Sequence, residues 1–233
     1  PLSAADFQVI DFDLPGFGNS QGGPRPGALE GVAEQVFEFI NALELAPVHV
    51  HGTSYGAMVG LTLAARHPEV VQRLVLSCFL ARYDLAARMM RSTWRRAARD
   101  SGMEAVADLT AIAGFSRNFY ERPDAHKQLA SMREAFSHTD PEAFVFATKA
   151  NEQTDLSPLA PLVTAPTLLI AGKEDSMTPF DPAPSGVGFA QIKDMIRDCE
   201  TVILPDCGHY LVLEQPEQAA ALVKQFISRP VSE

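Results

Sequence analysis

The sequence predicts an α/β protein: a mostly parallel sheet flanked by helices, interrupted by an all-helical insertion. Three observations carry that prediction. Strand-like and helix-like segments alternate over residues 7–79. Residues 80–155 then show helical periodicity and no convincing strand. The alternation resumes at Pro166 and runs to Ser228. A strand–helix–strand rhythm implies parallel strands with helices packed on the sheet. The expected organisation is a core of residues 1–79 and 156–233 with a helical lid at 80–155.

Phe7 to Phe12 reads as a short strand, because β-branched and aromatic residues crowd it. A punctuated loop follows, with Pro15, Gly16, Gly18, Gly22, Gly23, Pro24, Pro26 and Gly27. Between Leu29 and Leu45, Val32, Val36, Phe37, Ile40 and Leu43 recur at helical spacing. Pro47 to His51 is a short strand. Thr53 to Arg66 is a helix stopped near Pro68. Arg73 to Ser77 is a buried strand. In the insertion, helices are expected at Leu85 to Arg99, Met103 to Ile112, Asp124 to Phe136 and Pro141 to Ala150. The second half gives a strand at Thr167 to Ala171, a helix near Phe189 to Asp198, a strand at Thr201 to Leu204 and a closing helix from Pro216 to Ser228.

Composition narrows the function classes. The 233 residues are 46% hydrophobic and 21% charged, as in a globular protein. The formal net charge is −10 and the pI is near 5.0. An acidic surface is repelled by nucleic acid and by anionic membranes, so neither is expected as a partner. No apolar run reaches the length that spans a bilayer. The three cysteines, Cys78, Cys199 and Cys207, form neither a disulfide framework nor a zinc-spaced set. They suit a reducing, cytoplasmic setting. No metal or cofactor is expected. A small-molecule partner and a homodimer are both compatible with the chain.

The chemistry concentrates at Gly52-Thr53-Ser54-Tyr55-Gly56. This G-x-S-x-G lies between a strand and a helix, where a nucleophile elbow belongs. The turn is too tight for large side chains two positions either side of Ser54, and Gly52 and Gly56 fit. Gly60 would let the following helix pack close to the sheet. The turn presents the Ser54 hydroxyl at the carboxyl end of the strand. The Tyr55 backbone N–H, at the helix N-terminus, becomes a candidate oxyanion donor. A chance match in an ordinary strand-to-helix turn is the plainer alternative.

A serine hydroxyl needs a base. Of the six histidines, His209 follows the last strand, in Asp206-Cys207-Gly208-His209-Tyr210. Catalytic groups gather at the carboxyl ends of strands in open α/β sheets. His49 and His51 read as ordinary strand residues, His67 as a helix-end cap, and His126 and His138 as solvated. The base needs an acid to fix its tautomer. Asp175 follows the strand at Thr167 to Ala171. Glu174 is the second candidate and Asp84 the third. As plain structure, Asp175 would be a turn or capping acid.

Taken together, the Ser54 elbow, Asp13-Leu14-Pro15-Gly16-Phe17-Gly18-Asn19-Ser20, Ala165 to Gly172 before Asp175, Gly208-His209 and Glu214-Gln215-Pro216-Glu217 resemble the α/β-hydrolase superfamily. The order Ser, Asp, His also matches. The resemblance covers nearly the whole chain outside the insertion. Within the superfamily the chain looks most like a small-lid group that includes 3-oxoadipate enol-lactonases, other lactonases and esterases. It implies an α/β-hydrolase fold and ester or lactone hydrolysis through an acyl-enzyme. Acyl transfer, thioester cleavage, carbon–carbon hydrolysis and a non-catalytic binding relative are the alternatives. The lid aromatics and methionines could line an acyl pocket, but a core internal to the lid is their simpler role.

One departure stands out. The resemblance implies a second oxyanion N–H from a His-Gly-type loop after a third strand, upstream of the position of Pro1. No such segment is present. That strand would lie between the strands at Phe7 to Phe12 and Pro47 to His51. Its absence should leave a gap beside the nucleophile strand, where each unpaired backbone group costs about 1–3 kcal/mol. The sequence is therefore expected to lack about 40–50 residues at its N-terminus.

Overall fold

The computed structural model describes residues 7–14, 20 and 29–230. The loop read from Pro15 onward lies largely outside the described residues. Four strands form one parallel sheet in the order β1-β2-β3-β4: β1 (Val48–Thr53), β2 (Val71–Ser77), β3 (Thr167–Gly172) and β4 (Cys199–Leu204). Spatial order follows chain order, and all carboxyl ends lie along one edge.

The sheet is buried on both faces because alternate residues point in opposite directions. Leu74, Leu76, Leu169 and Ala171 face a core shared with α1 (Leu29–Ala42) and α2 (Tyr55–Arg66). Val75, Leu168 and Ile170 face the other way, onto Ala219, Val223 and Phe226 of the closing helix (Pro216–Ile227). In α1, Leu29, Val32, Ala33, Val36 and Ile40 make the buried stripe that helical periodicity predicts.

Between β2 and β3 run α3 (Leu85–Asp100), α4 (Met103–Gly114), α5 (Ala125–Ser137) and α6 (Pro141–Ala150). All four expected helices are present within about two residues of their expected ends. Their start signals are local: Asp84 accepts the Ala87 N–H at the head of α3, and Asp140 accepts the Glu142 N–H before Pro141. Trp94, Met103, Phe136 and Phe144 form one cluster and Phe115, Phe119, Tyr120 and Met132 another. These side chains pack on one another, as their simpler role expects, and also on Met177 and Tyr210, which lie outside residues 80–155. Met89 and Phe146 are exposed instead.

After β3 come two one-turn helices, α7 (Phe189–Ile192) and α8 (Leu211–Glu214), and then α9, the closing helix. The helix expected to reach Asp198 thus stops near Ile192, and residues 193–198 continue as turns and bends.

One strand expectation fails. Among the described residues, 7–12 have no ladder partner and are not a strand. Strand propensity reports only fitness for a pleated surface, and a ladder needs a neighbour. A groove of about 690 Å³ separates this segment from β1, lined by Phe7 to Phe12 on one side and Val48 to Thr53 on the other. Among the described residues, β1 pairs only with β2. The gap expected beside the nucleophile strand is this groove. No helix among the described residues is long and apolar enough to cross a membrane.

Candidate active site

Ser54 sits between β1 and α2 with φ 55 and ψ −115. A non-glycine residue at positive φ is strained by about 1–3 kcal/mol, and such strain collects at functional sites. Three backbone bonds hold the turn: Ser54 N donates to Ser77 O at 2.9 Å, and Ala57 N and Met58 N donate to Ser54 O at 3.0 and 3.2 Å. Gly52 is needed because a Cβ there would overlap the Gly56 carbonyl. A Cβ on Gly56 would meet nothing within 4 Å, so the small residue expected there is not required by space. Gly60 is less critical than expected, since a Cβ would meet Leu76, Val50 and Leu74 at ordinary contact distances of 3.4–3.6 Å. Tyr55 opens α2, and its N–H heads the first turn.

The strand ends beside Ser54 carry the remaining groups. Ser77 adjoins Ser54, and the next residue, Cys78, donates its N–H to Ile170 O in β3 at 3.1 Å. Asp175 follows β3 and His209 follows β4. His209 Nδ1 lies 2.9 Å from Asp175 Oδ2, with both side chains buried. A ring nitrogen donating to a carboxylate leaves Nε2 as the free lone pair. The Cys78 sulfur and ligating atoms of Asp175 and His209 all lie within 4.8 Å of one another. Since Ser77 is hydrogen-bonded to Ser54 and adjoins Cys78, the elbow and the acid–base pair share one end of the sheet. Among the described hydrogen bonds none joins the Ser54 hydroxyl to His209. Such bonds often tighten only around substrate.

Asp175 is held by four donors. Met177 N and Thr178 N each donate to Oδ1 at 2.9 Å. Thr178 Oγ1 donates to Oδ2 at 2.5 Å, and His209 Nδ1 supplies the fourth bond. The same Thr178 oxygen is 3.1 Å from His209 Nδ1, so it bridges acid and base. Burial alone would raise the Asp175 pKa. Attraction to His209 and the hydrogen bonds from His209 and Thr178 outweigh it and hold the carboxyl below its ordinary range.

The other sequence candidates sit elsewhere. Glu174 accepts the Arg117 N–H at 2.9 Å, and Asp84 caps α3 and accepts Ala183 N at 3.0 Å; neither bonds His209. His51 bonds the Ser77 hydroxyl at 3.0 Å. His67 caps α2, donating its N–H to Leu63 O, and its ring bonds Glu34 at 2.8 Å. His126 and His138 are exposed, as expected.

Thr178 and Cys78 escaped the sequence reading. Thr178 stands three residues beyond an acid, in the spacing of a capping turn, and that spacing is its only signal. Cys78 carries none, and only its positive φ of 51 marks it in the structure. Burial and the neighbouring Asp175 push its thiol well above the ordinary range. Its sulfur packs against an acid–base pair whose facing atoms are already hydrogen-bonded to each other.

The helical block grips both loops. His209 N donates to Gly114 O at 2.6 Å, and Ser176 Oγ donates to Ala113 O at 2.5 Å. Glu214 accepts Gly208 N at 2.9 Å with one oxygen and Ser116 N at 3.0 Å with the other. A Cβ on Gly114 would strike the Tyr210 ring and the Met177 sulfur, so the C-terminus of α4 lies directly on the loops that carry Asp175 and His209.

Comparisons agree with this architecture. The pyrrolizixenacetamide deacetylase of Xenorhabdus hominickii is 26% identical over 229 residues, spanning 97% of this chain and 83% of that protein. The pimeloyl-acyl-carrier protein methyl ester esterase of Nitrosospira multiformis is 26% identical over 235 residues, spanning 96% and 85%. The solved enol-lactonase from Burkholderia xenovorans LB400 matches with a TM-score of 0.80 at 28% identity, over 93% of this chain and 78% of that one. A family model described as the alpha/beta hydrolase family matches residues 1–222. With the parallel sheet, the strained serine turn and that match over nearly its whole length, the chain belongs to the alpha/beta hydrolase family.

Proposed function

We propose that this hydrolase cleaves a carboxylic ester or lactone through an acyl-enzyme on Ser54. The observation that carries the reading is the buried Asp175–His209 pair, at the same end of the sheet as a serine held at positive φ. The esterase and enol-lactonase among its relatives support the substrate class.

In this mechanism the Ser54 oxygen attacks the carbonyl carbon while His209 Nε2 accepts the hydroxyl proton. The carbonyl π electrons move to oxygen, and the Tyr55 N–H donates to the resulting oxyanion. Collapse breaks the bond to the leaving alkoxide, which takes the proton from His209. In a lactone the alkoxide stays tethered to the acyl group. Water then attacks the acyl carbon and gives its proton to His209. Breakdown returns that proton to Ser54 and releases the acid. Asp175 orients the ring and stabilises the imidazolium without itself becoming protonated. Residues 80–155 form the lid over this seat. A cytoplasmic setting belongs to the same reading, because three free thiols suit a reducing compartment.

A turnover panel of esters, lactones and thioesters tests the proposal. At least one ester or lactone should be hydrolysed, and Ser54→Ala should lower its kcat/KM by at least about a thousandfold. Product analysis with water and an alcohol in competition separates hydrolysis from acyl transfer. Turnover that survives in Ser54→Ala rejects the assignment.

A further inference from the structure

Helix α3 turns two arginines inward, Arg91 and Arg95, one turn apart and only 7% and 9% exposed. Arg95 is neutralised: its guanidinium meets Glu152 at 2.8 Å. Among the described residues Arg91 has no carboxylate partner, and its one hydrogen bond there goes to Ala87 O, at 3.2 Å within its own helix. Asp84, the acid at the head of that helix, has both oxygens engaged by the N–H groups of Ala87 and Ala183.

Two aromatic rings flank the Arg91 guanidinium: Tyr83 at 3.8 Å and Trp94 at 5.5 Å from the ring centroids. Stacking offsets only part of the cost of taking a charge out of water. The chain carries 29 acidic residues and a net charge of −10, so carboxylates are not scarce. The unbonded Arg91 nitrogens are also absent from the buried polar atoms that lack a partner, which are on Gln35, His49, Arg73, Asn151 and Gln215. Those nitrogens are therefore not fully sealed from solvent.

The two rings that flank Arg91 pack toward the candidate site. The Tyr83 hydroxyl reaches the Met58 sulfur at 3.5 Å, in the helix that starts after Ser54. Trp94 packs in one cluster with Met177, two residues beyond Asp175. Arg91 is thus held between a ring on the Ser54 side and a ring on the Asp175 side.

We propose that Arg91 is a specificity-determining residue that binds a free carboxylate on the substrate, so that the ester or lactone cleaved at Ser54 is anionic. A guanidinium presents parallel N–H donors that match a carboxylate, and a water-poor seam strengthens the pairing. This inference rests on the hydrolase reading for the bond that is broken, but not for the binding of the anion.

The test uses the whole chain and two readouts. Calorimetric titration compares glutarate with pentane-1,5-diol, on the wild type, Arg91→Met and Arg91→Lys. Glutarate should bind the wild type and the diol should not. Arg91→Met should lose about tenfold or more in glutarate affinity, and Arg91→Lys, which keeps the charge without the fork, should fall between. Arg91→Lys also keeps the test decisive if Arg91→Met does not fold. Failure of glutarate to bind the wild type, or equal binding by the variants, overturns the proposal. The second readout is kcat/KM for monoethyl glutarate relative to ethyl pentanoate. That ratio should favour the anion and drop about tenfold or more in the variants. Equal turnover of the two esters by the wild type overturns the role of Arg91 and leaves the hydrolase standing. Glutarate binding that needs Arg91, with neither ester hydrolysed, supports Arg91 and counts against the hydrolase.

Discussion

Thr178 shows how much one hydroxyl can carry. Its oxygen touches both Asp175 Oδ2 and His209 Nδ1. Thr178→Val keeps the shape and removes the bridge, so kcat/KM should fall about tenfold while Thr178→Ser stays near wild type. A pH effect follows from Asp175, whose pKa is depressed in the fold. Its ionised form therefore favours folding above the ordinary value of about 3.9, and that contribution is lost as pH falls through the folded value. Removing the Thr178 donor raises the folded value. Thr178→Val should then be less stable than wild type by about 1 kcal/mol at pH 7, with the difference shrinking below about pH 4. Urea melts at pH 7 and pH 3 check this. The positions of Ser54, Asp175 and His209 were legible because each follows a readable strand. Thr178 and Cys78 were not, since their significance comes from contacts across 31 residues of chain in one case and between neighbouring strands in the other.

At the scale of elements, the elbow and the helix that follows it make opposite predictions for two glycines. Gly52→Ala drives a Cβ into the Gly56 backbone, which cannot yield as a side chain could. It should cost about 1–3 kcal/mol and most of the activity. Gly60→Ala meets only ordinary contacts inside α2 and gains helix propensity, so it should be neutral or stabilising by up to about 1 kcal/mol. Thermal melts with ester turnover test both. The helices of 80–155 were readable because their signals are local: caps, prolines and apolar spacing. The segment at residues 7–12 was misread because a strand is a property of two chains. The helix after Phe189 came out short because its four-residue bonds give way at once: Asp194 N and Met195 N donate to Gln191 O and Ile192 O, three residues back.

At the scale of the whole molecule, a parallel sheet in chain order gathers distant residues at one end. Ser54, Cys78, Asp175 and His209 belong to four successive strand ends, and the C-terminus of α4 closes over the last two. The alternation of strands and helices made that end predictable. The grip of Gly114 and Glu214 on the loops was not, because it depends on how α4 settles on the sheet. The groove along β1 was anticipated from the order of motifs, and the structure gives it its lining.

The central claim is that Ser54 is the nucleophile. Its most direct test is fluorophosphonate labelling of the folded protein, followed by mass mapping of the modified peptide. One adduct should form, on the peptide carrying Ser54, and Ser54→Ala should take none. An adduct at another residue, or undiminished labelling of Ser54→Ala, would contradict the account.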